Sequence, residues 1–132
     1  MELQMKQALA LFAVALLSIA SAACPTKPGY AANGLVKLPP GVNVTCEGAV
    51  YREYRSMVSG ESWGEVLYVP RTSKGAASLT RVVKMITAKG YKEISRKKTD
   101  QMLIIRFRKN DAVLTSMRSE DREAMYMVLT GK

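Results

Sequence analysis

The clearest periodicity in the chain lies at Leu79, Val82, Val83 and Ile86, the i, i+3, i+4, i+7 spacing of one apolar helical stripe. Thr72 or Ser73 stands before it as a residue able to cap an orphan backbone N–H, and Gly90 stands after it, free to take a positive φ. The spacing predicts a helix that ends near Lys89, whose charge suits the negative end of the helix dipole. Other segments alternate instead. Val42 to Cys46 reads as a short strand, and Glu65 to Val69 as a strong one that Pro70 ends. In Met102 to Arg108, Leu103, Ile105 and Phe107 face one way and Ile104, Arg106 and Arg108 the other. Asn110-Asp111 predicts a tight hairpin turn, Ala112 to Met117 a returning strand, and Glu123 to Thr130 a last one. Tyr91 to Lys97 is a weaker, heavily charged strand suited to a sheet edge. Ala49 to Val58 fits either period. Ser59-Gly60 is a turn signal and Glu65 to Val69 follows, so a strand and a hairpin are expected there. The sum is an α+β domain: one amphipathic helix packed on an antiparallel sheet of about five to six strands.

The N-terminus has a different pattern. Ala8 to Ala20 is an uncharged run of apolar and small residues, preceded by Lys6 and followed by Ala20-Ser21-Ala22. A charged start, a short apolar stretch and small residues at the cleavage site predict a secretory signal peptide over residues 1–23. The run is shorter than the roughly 20 residues of a transmembrane span. Residues 24–41, with Pro25, Pro28, Pro39 and Pro40, read as a Pro/Gly-rich tether with little capacity to order itself, and residues 42–132 as the single folded domain. The expected location is the periplasm, the cell envelope or the medium.

Export changes the meaning of the two cysteines. An even count outside the cytoplasm predicts a disulfide between Cys24 and Cys46, closing a loop of about 23 residues. The competing reading is a lipid anchor on Cys24, since Ser21-Ala22-Ala23-Cys24 resembles a bacterial lipobox at the two positions before the cysteine and departs from it at Ser21. The two readings exclude each other.

A strand ending in Tyr68-Val69-Pro70-Arg71-Thr72, an amphipathic helix, Lys89-Gly90-Tyr91 and a charged meander together resemble small exported bacterial proteins and lipoproteins of unassigned role. The resemblance covers Glu65 to Thr130. It implies a fold and a compartment and carries over no site residue.

The chain has 132 residues, 20 Lys and Arg against 11 Asp and Glu, and a net charge of +9. Loss of residues 1–23 removes Lys6 and Glu2 and leaves that balance unchanged. There is no histidine, which removes the commonest general base and metal ligand. No Gly-rich phosphate loop appears, and the acidic pairs Glu61/Glu65 and Glu120/Asp121/Glu123 read as solvated turn charges. No catalytic residue, metal or cofactor is expected, and no enzyme. Methionines on the strands read as core filling. The cations cluster. On the helix, Lys74, Arg81, Lys84 and Lys89 fall within an arc of about 140° opposite the apolar stripe. Arg96, Lys97 and Lys98 form a run at a turn, and Arg106 and Arg108 share a strand face. These nine residues are the candidate anion-binding set. The expected function is a non-enzymatic, exported or envelope-associated module that contacts an anionic polymer, lipid surface or extracellular nucleic acid without reading sequence. The alternative is an accessory protein that binds another protein through a sheet edge.

Overall fold

The computed structural model describes residues 27–57 and 60–132, without the side chains of residues 55–57. The expected signal peptide and Cys24 lie outside the described residues. In chain order the elements are β1 (Tyr30–Ala31), β2 (Val36–Lys37), β3 (Asn43–Thr45), α1 (Ala49–Met57), β4 (Trp63–Pro70), α2 (Ser73–Ala88), β5 (Lys92–Lys98), β6 (Leu103–Lys109), β7 (Ala112–Glu120) and β8 (Ala124–Gly131). The fold is α+β. Six strands form one antiparallel sheet in the order β3-β4-β8-β7-β6-β5, and β1 and β2 form a separate two-stranded ribbon.

Helix α2 forms as its pattern dictates. The Thr72 hydroxyl accepts a 3.0 Å hydrogen bond from the Gly75 N–H, and Gly90 follows the helix at φ 98°. Its buried stripe, Leu79, Val82 and Ile86, packs with Leu67, Val69, Ile105, Phe107, Leu114, Met127 and Leu129 of the sheet. Gly75 sits tight against the end of β4, because a Cβ there would meet the Pro70 carbonyl oxygen and the Val69 side chain. Arg118 ties the helix to β7, donating to the Thr80 hydroxyl at 3.2 Å and the Ala76 carbonyl at 3.3 Å. At the far end the Lys109 ammonium donates to the Lys89 carbonyl at 2.7 Å, placing a cation on the helix C-terminus.

Ala49–Met57 is a helix, not the expected strand. Tertiary packing decides between two periods that the local sequence leaves balanced. Val50 and Tyr54, one turn apart, pack on Val66, Val128 and Met117, on the sheet face opposite α2. The Tyr54 hydroxyl lies 3.4 Å from that of Thr130. The Tyr51 ring passes over Gly64, where a Cβ would sit 3.2 Å from it. The sheet therefore lies between two helices rather than under one.

The segment read as a tether also differs from expectation. Tyr30–Lys37 forms the ribbon, and Ala31, Ala32 and Val36 are buried in the α2-side core. Three successive residues, Ala32, Asn33 and Gly34, take φ of 57°, 58° and 88°. Left-handed backbone is costly for alanine, on the order of 1 kcal/mol. It turns two N–H groups the same way, and they donate to Glu65: Ala32 to Oε1 and Asn33 to Oε2, both at 2.8 Å. Glu65 is thus a buried strand residue and not a solvated turn charge. Burial pushes its carboxyl above the ordinary 4.5, against the two backbone donors, which pull it down.

Candidate functional site

Register assigns every strand residue to a face. Ile105 and Phe107 point toward α2, so Arg106 and Arg108 point to the α1 side. On β5, Lys92 pairs with Arg108, Ser95 with Arg106 and Lys97 with Ile104, and these share the α1 side. Arg96 pairs with Ile105 and Lys98 with Leu103, so both point to the α2 side. The run Arg96 to Lys98, expected at a turn, therefore lies on a strand and divides between the two faces.

Arg96 is further committed: its Nη2 and Nε meet the two carboxylate oxygens of Glu93 at 2.8 and 3.0 Å. That contact lowers the pKa of Glu93 and raises that of Arg96. Lys74, Arg81 and Lys84 lie on the solvent side of α2, and Lys89 is its C-cap. They occupy the surface opposite Arg106 and Arg108. The nine candidates do not sum to one patch. Lys97, Arg106 and Arg108 come together; the other six lie elsewhere.

One member of that group was missed. Lys92 and Lys97 are five residues apart and would fall on opposite faces of a regular strand. The register shifts between Glu93 and Ser95, and this bulge returns both lysines to the α1 side. Ile94 at the bulge is 51% exposed. Lys92, Ile94, Arg108 and Lys109 line a shallow depression of about 460 Å3. Nothing in the local sequence marks the bulge, so alternation counted from Lys97 gives the wrong side for Lys92.

The exposed α1-side face of β5 and β6 therefore carries Lys92, Lys97, Arg106 and Arg108 with Ser95 between them, and Thr115, beside Arg106 on β7, is buried. Among the described residues of these strands, no carboxylate shares that face. Helix α1 lies beside it, over β4, and packs as far as Val128 of β8 and Met117 of β7. The cations occupy two adjacent strands, about 4.8 Å apart, over about 13 Å of strand length.

A second concavity, of about 680 Å3, opens between α1 and the Asp100 turn. Val50, Tyr54, Met102 and Met117 form its apolar wall and Glu53, Arg71, Asp100 and Glu120 its charged rim. Glu120 is ion-paired with Arg71. Among the described residues, no three Asp, Glu or Cys side chains converge as a metal site requires. At the nearby turn, Asp121 accepts from the Glu123 and Ala124 N–H groups and from the Tyr126 hydroxyl, all within 2.9 Å. The backbone donors, Ala124 first, hold its pKa below the ordinary range, and the Tyr126 phenol is raised by the same contact. These contacts build the turn and leave that carboxylate committed. No helix among the described residues is long and apolar enough to cross a membrane. No family model, curated protein or solved structure matches this chain.

Proposed function

We propose that the protein is an exported, non-enzymatic binding module that holds an anionic partner on the α1-side face of β5 and β6. The observation that carries this is the company of Lys92, Lys97, Arg106 and Arg108 on one face without a carboxylate among them. Like charges on neighbouring strands repel and cost stability. A domain bearing four of them on the edge strand β5 and its neighbour β6 has a surface that an anion relieves. The partner is held by charge, so its binding weakens with salt as counterions return.

The export half of the reading rests on the signal pattern of residues 1–23 and on the Cys24–Cys46 bridge. Among the described residues no cysteine is a free thiol. The Cys46 sulfur lies 3.0 Å from the Gly64 carbonyl oxygen, at the end of β3 where it meets β4. A bridge there fixes the start of the folded chain to the sheet.

Retention on a heparin column tests the binding half. The expected result is elution above 150 mM salt for the wild type. Arg106→Glu/Arg108→Glu elutes far earlier, and Arg81→Glu/Lys84→Glu, on the opposite surface, elutes close to the wild type. Flow-through of the wild type at 50 mM salt overturns the proposal. So does equal loss from the two double variants, which would mean net charge alone.

A further inference from the structure

We propose that the free edge of β5 takes up an extended acidic segment of another protein as a further strand of the sheet. The proposal rests on the reading above and names the partner of that cationic face as a polypeptide.

The edge is open. Strand β5 ends the strand order, pairs only with β6 among the described residues, and is exposed at all seven of its positions. Its outer side therefore presents backbone N–H and C=O groups in alternation, with no ladder partner among the described residues. These groups select among anions. A phosphate or sulfate polymer offers acceptors alone and can satisfy only the N–H groups. A second polypeptide backbone supplies donors and acceptors together, at the spacing of the edge.

The side chains set the chemistry of the incoming strand. On the α1 side β5 carries Lys92, Ser95 and Lys97. On the α2 side Arg96 is already held by Glu93 at 2.8 Å, which leaves Lys98 there. A strand laid beside β5 alternates its own side chains between the same two faces. Acidic residues at every second position would then all meet the lysines of the α1 side, where opposite charges on neighbouring strands attract. Ser95 is the short residue of that row, and Arg106 is its rung partner. An added strand lies about 10 Å from β6, a gap that an arginine and a glutamate side chain span together over a serine. Ile94, 51% exposed at the bulge, is the single apolar side chain of β5 and gives an apolar residue of the segment a contact. Edge and face thus act on one ligand.

The same charges argue against a second copy of this chain. Strand β5 holds four cations and one carboxylate, so two copies paired edge to edge bring like charges to one seam. Lysines and a bulge are how sheets keep matching edges apart. The opposite edge is no substitute, because β3 has only three residues, Asn43–Thr45, and no carboxylate. An acidic strand meets no such repulsion, and Ser95 to Lys98 pairs with β6 without a break beyond the bulge.

Fluorescence anisotropy on the full protein purified after export tests this with two end-blocked decapeptides of alternating glutamate and threonine. One is unmodified, and the other is N-methylated throughout, with the same charge and side chains but no backbone donor. The unmodified peptide is expected to bind about tenfold or more tightly than the methylated one. Lys92→Gln/Lys97→Gln weakens it by about fivefold, and Arg81→Gln/Lys84→Gln, on the solvent side of α2, by less than twofold. Amide exchange followed by NMR slows at alternate residues of β5 and not in β3 when the peptide is added. Equal binding of the two peptides overturns the proposal, as does protection that appears in β3 instead. So does an oligothymidylate of equal charge that binds as tightly as the unmodified peptide. In each case heparin retention that depends on Arg106 and Arg108 keeps the cationic face and removes the strand addition alone. Absence of peptide binding at 50 mM salt overturns the proposal by itself; absence of heparin retention as well fails the reading beneath it.

Discussion

Replacing Glu65 by alanine removes the side chain that satisfies the Ala32 and Asn33 N–H groups in the ribbon turn. The first donor is buried, and leaving it without an acceptor costs about 1–3 kcal/mol. The second is partly reached by water and costs less. Relief of the buried carboxylate's own desolvation works in the opposite direction. A net loss of about 2 kcal/mol follows, which in a domain of this size lowers the Tm by about 8–16 °C. Urea denaturation followed by circular dichroism measures it. A variant within 0.5 kcal/mol of wild type would refute the idea that the carboxylate orders the ribbon. Titration gives an independent check. The pKa of Glu65 is raised in the folded state, so the folded protein holds this proton more tightly than the unfolded chain does. Its contribution to stability is therefore largest below pH 4.5 and declines as pH rises from there through the folded value. Glu65→Gln cannot titrate. The stability of wild type over Glu65→Gln is expected to shrink between pH 4 and 7; a gap that widens would mean the two N–H bonds outweigh burial.

Gly75→Ala would ordinarily strengthen a helix by about 1 kcal/mol, but here the new Cβ meets the Pro70 carbonyl oxygen and Val69. A net loss of about 1–2 kcal/mol is expected in urea, and a higher Tm would show that α2 has room to shift. Tyr54→Ala strips α1 from its face of the sheet at a cost of about 3 kcal/mol, with faster amide exchange in β4 and β8 as the local sign. Cys46→Ser opens the proposed bridge and costs about 3 kcal/mol for a loop of about 23 residues. Intact mass before and after reduction with alkylation tests the bridge directly, and a lipid mass on Cys24 would refute it.

The parts of this fold that sequence makes legible are those whose partners are local or periodic. Helix α2 carries its stripe, its Thr72 cap and its Gly90 exit within one segment. Strand β6 alternates between buried and exposed positions, and Asn110 takes φ 55° at the turn foreseen for it. The rest depends on distant residues. Tyr51, Glu53 and Tyr54 fit a strand as well as a helix until Val66 and Val128 come together beneath them. The ribbon has no period at all, and its order comes from a carboxylate 33 residues from Ala32. The cations were legible only as clusters: the run Arg96 to Lys98, expected at a turn, lies on β5, and the bulge between Glu93 and Ser95 that brings Lys92 beside Arg108 has no local signal.

The sheet order has a consequence for how the chain is made. Strand β4 pairs on one side with the three-residue β3 and along its whole length with β8. Residues 63–70 therefore wait for residues 124–131 to be synthesised before the centre of the sheet can close. Until then the ribbon, α1 and α2 have no completed sheet to pack on, and the nascent chain stays threadable. The proposed export, directed by the signal pattern of residues 1–23, would draw on that delay, which is written into the strand register.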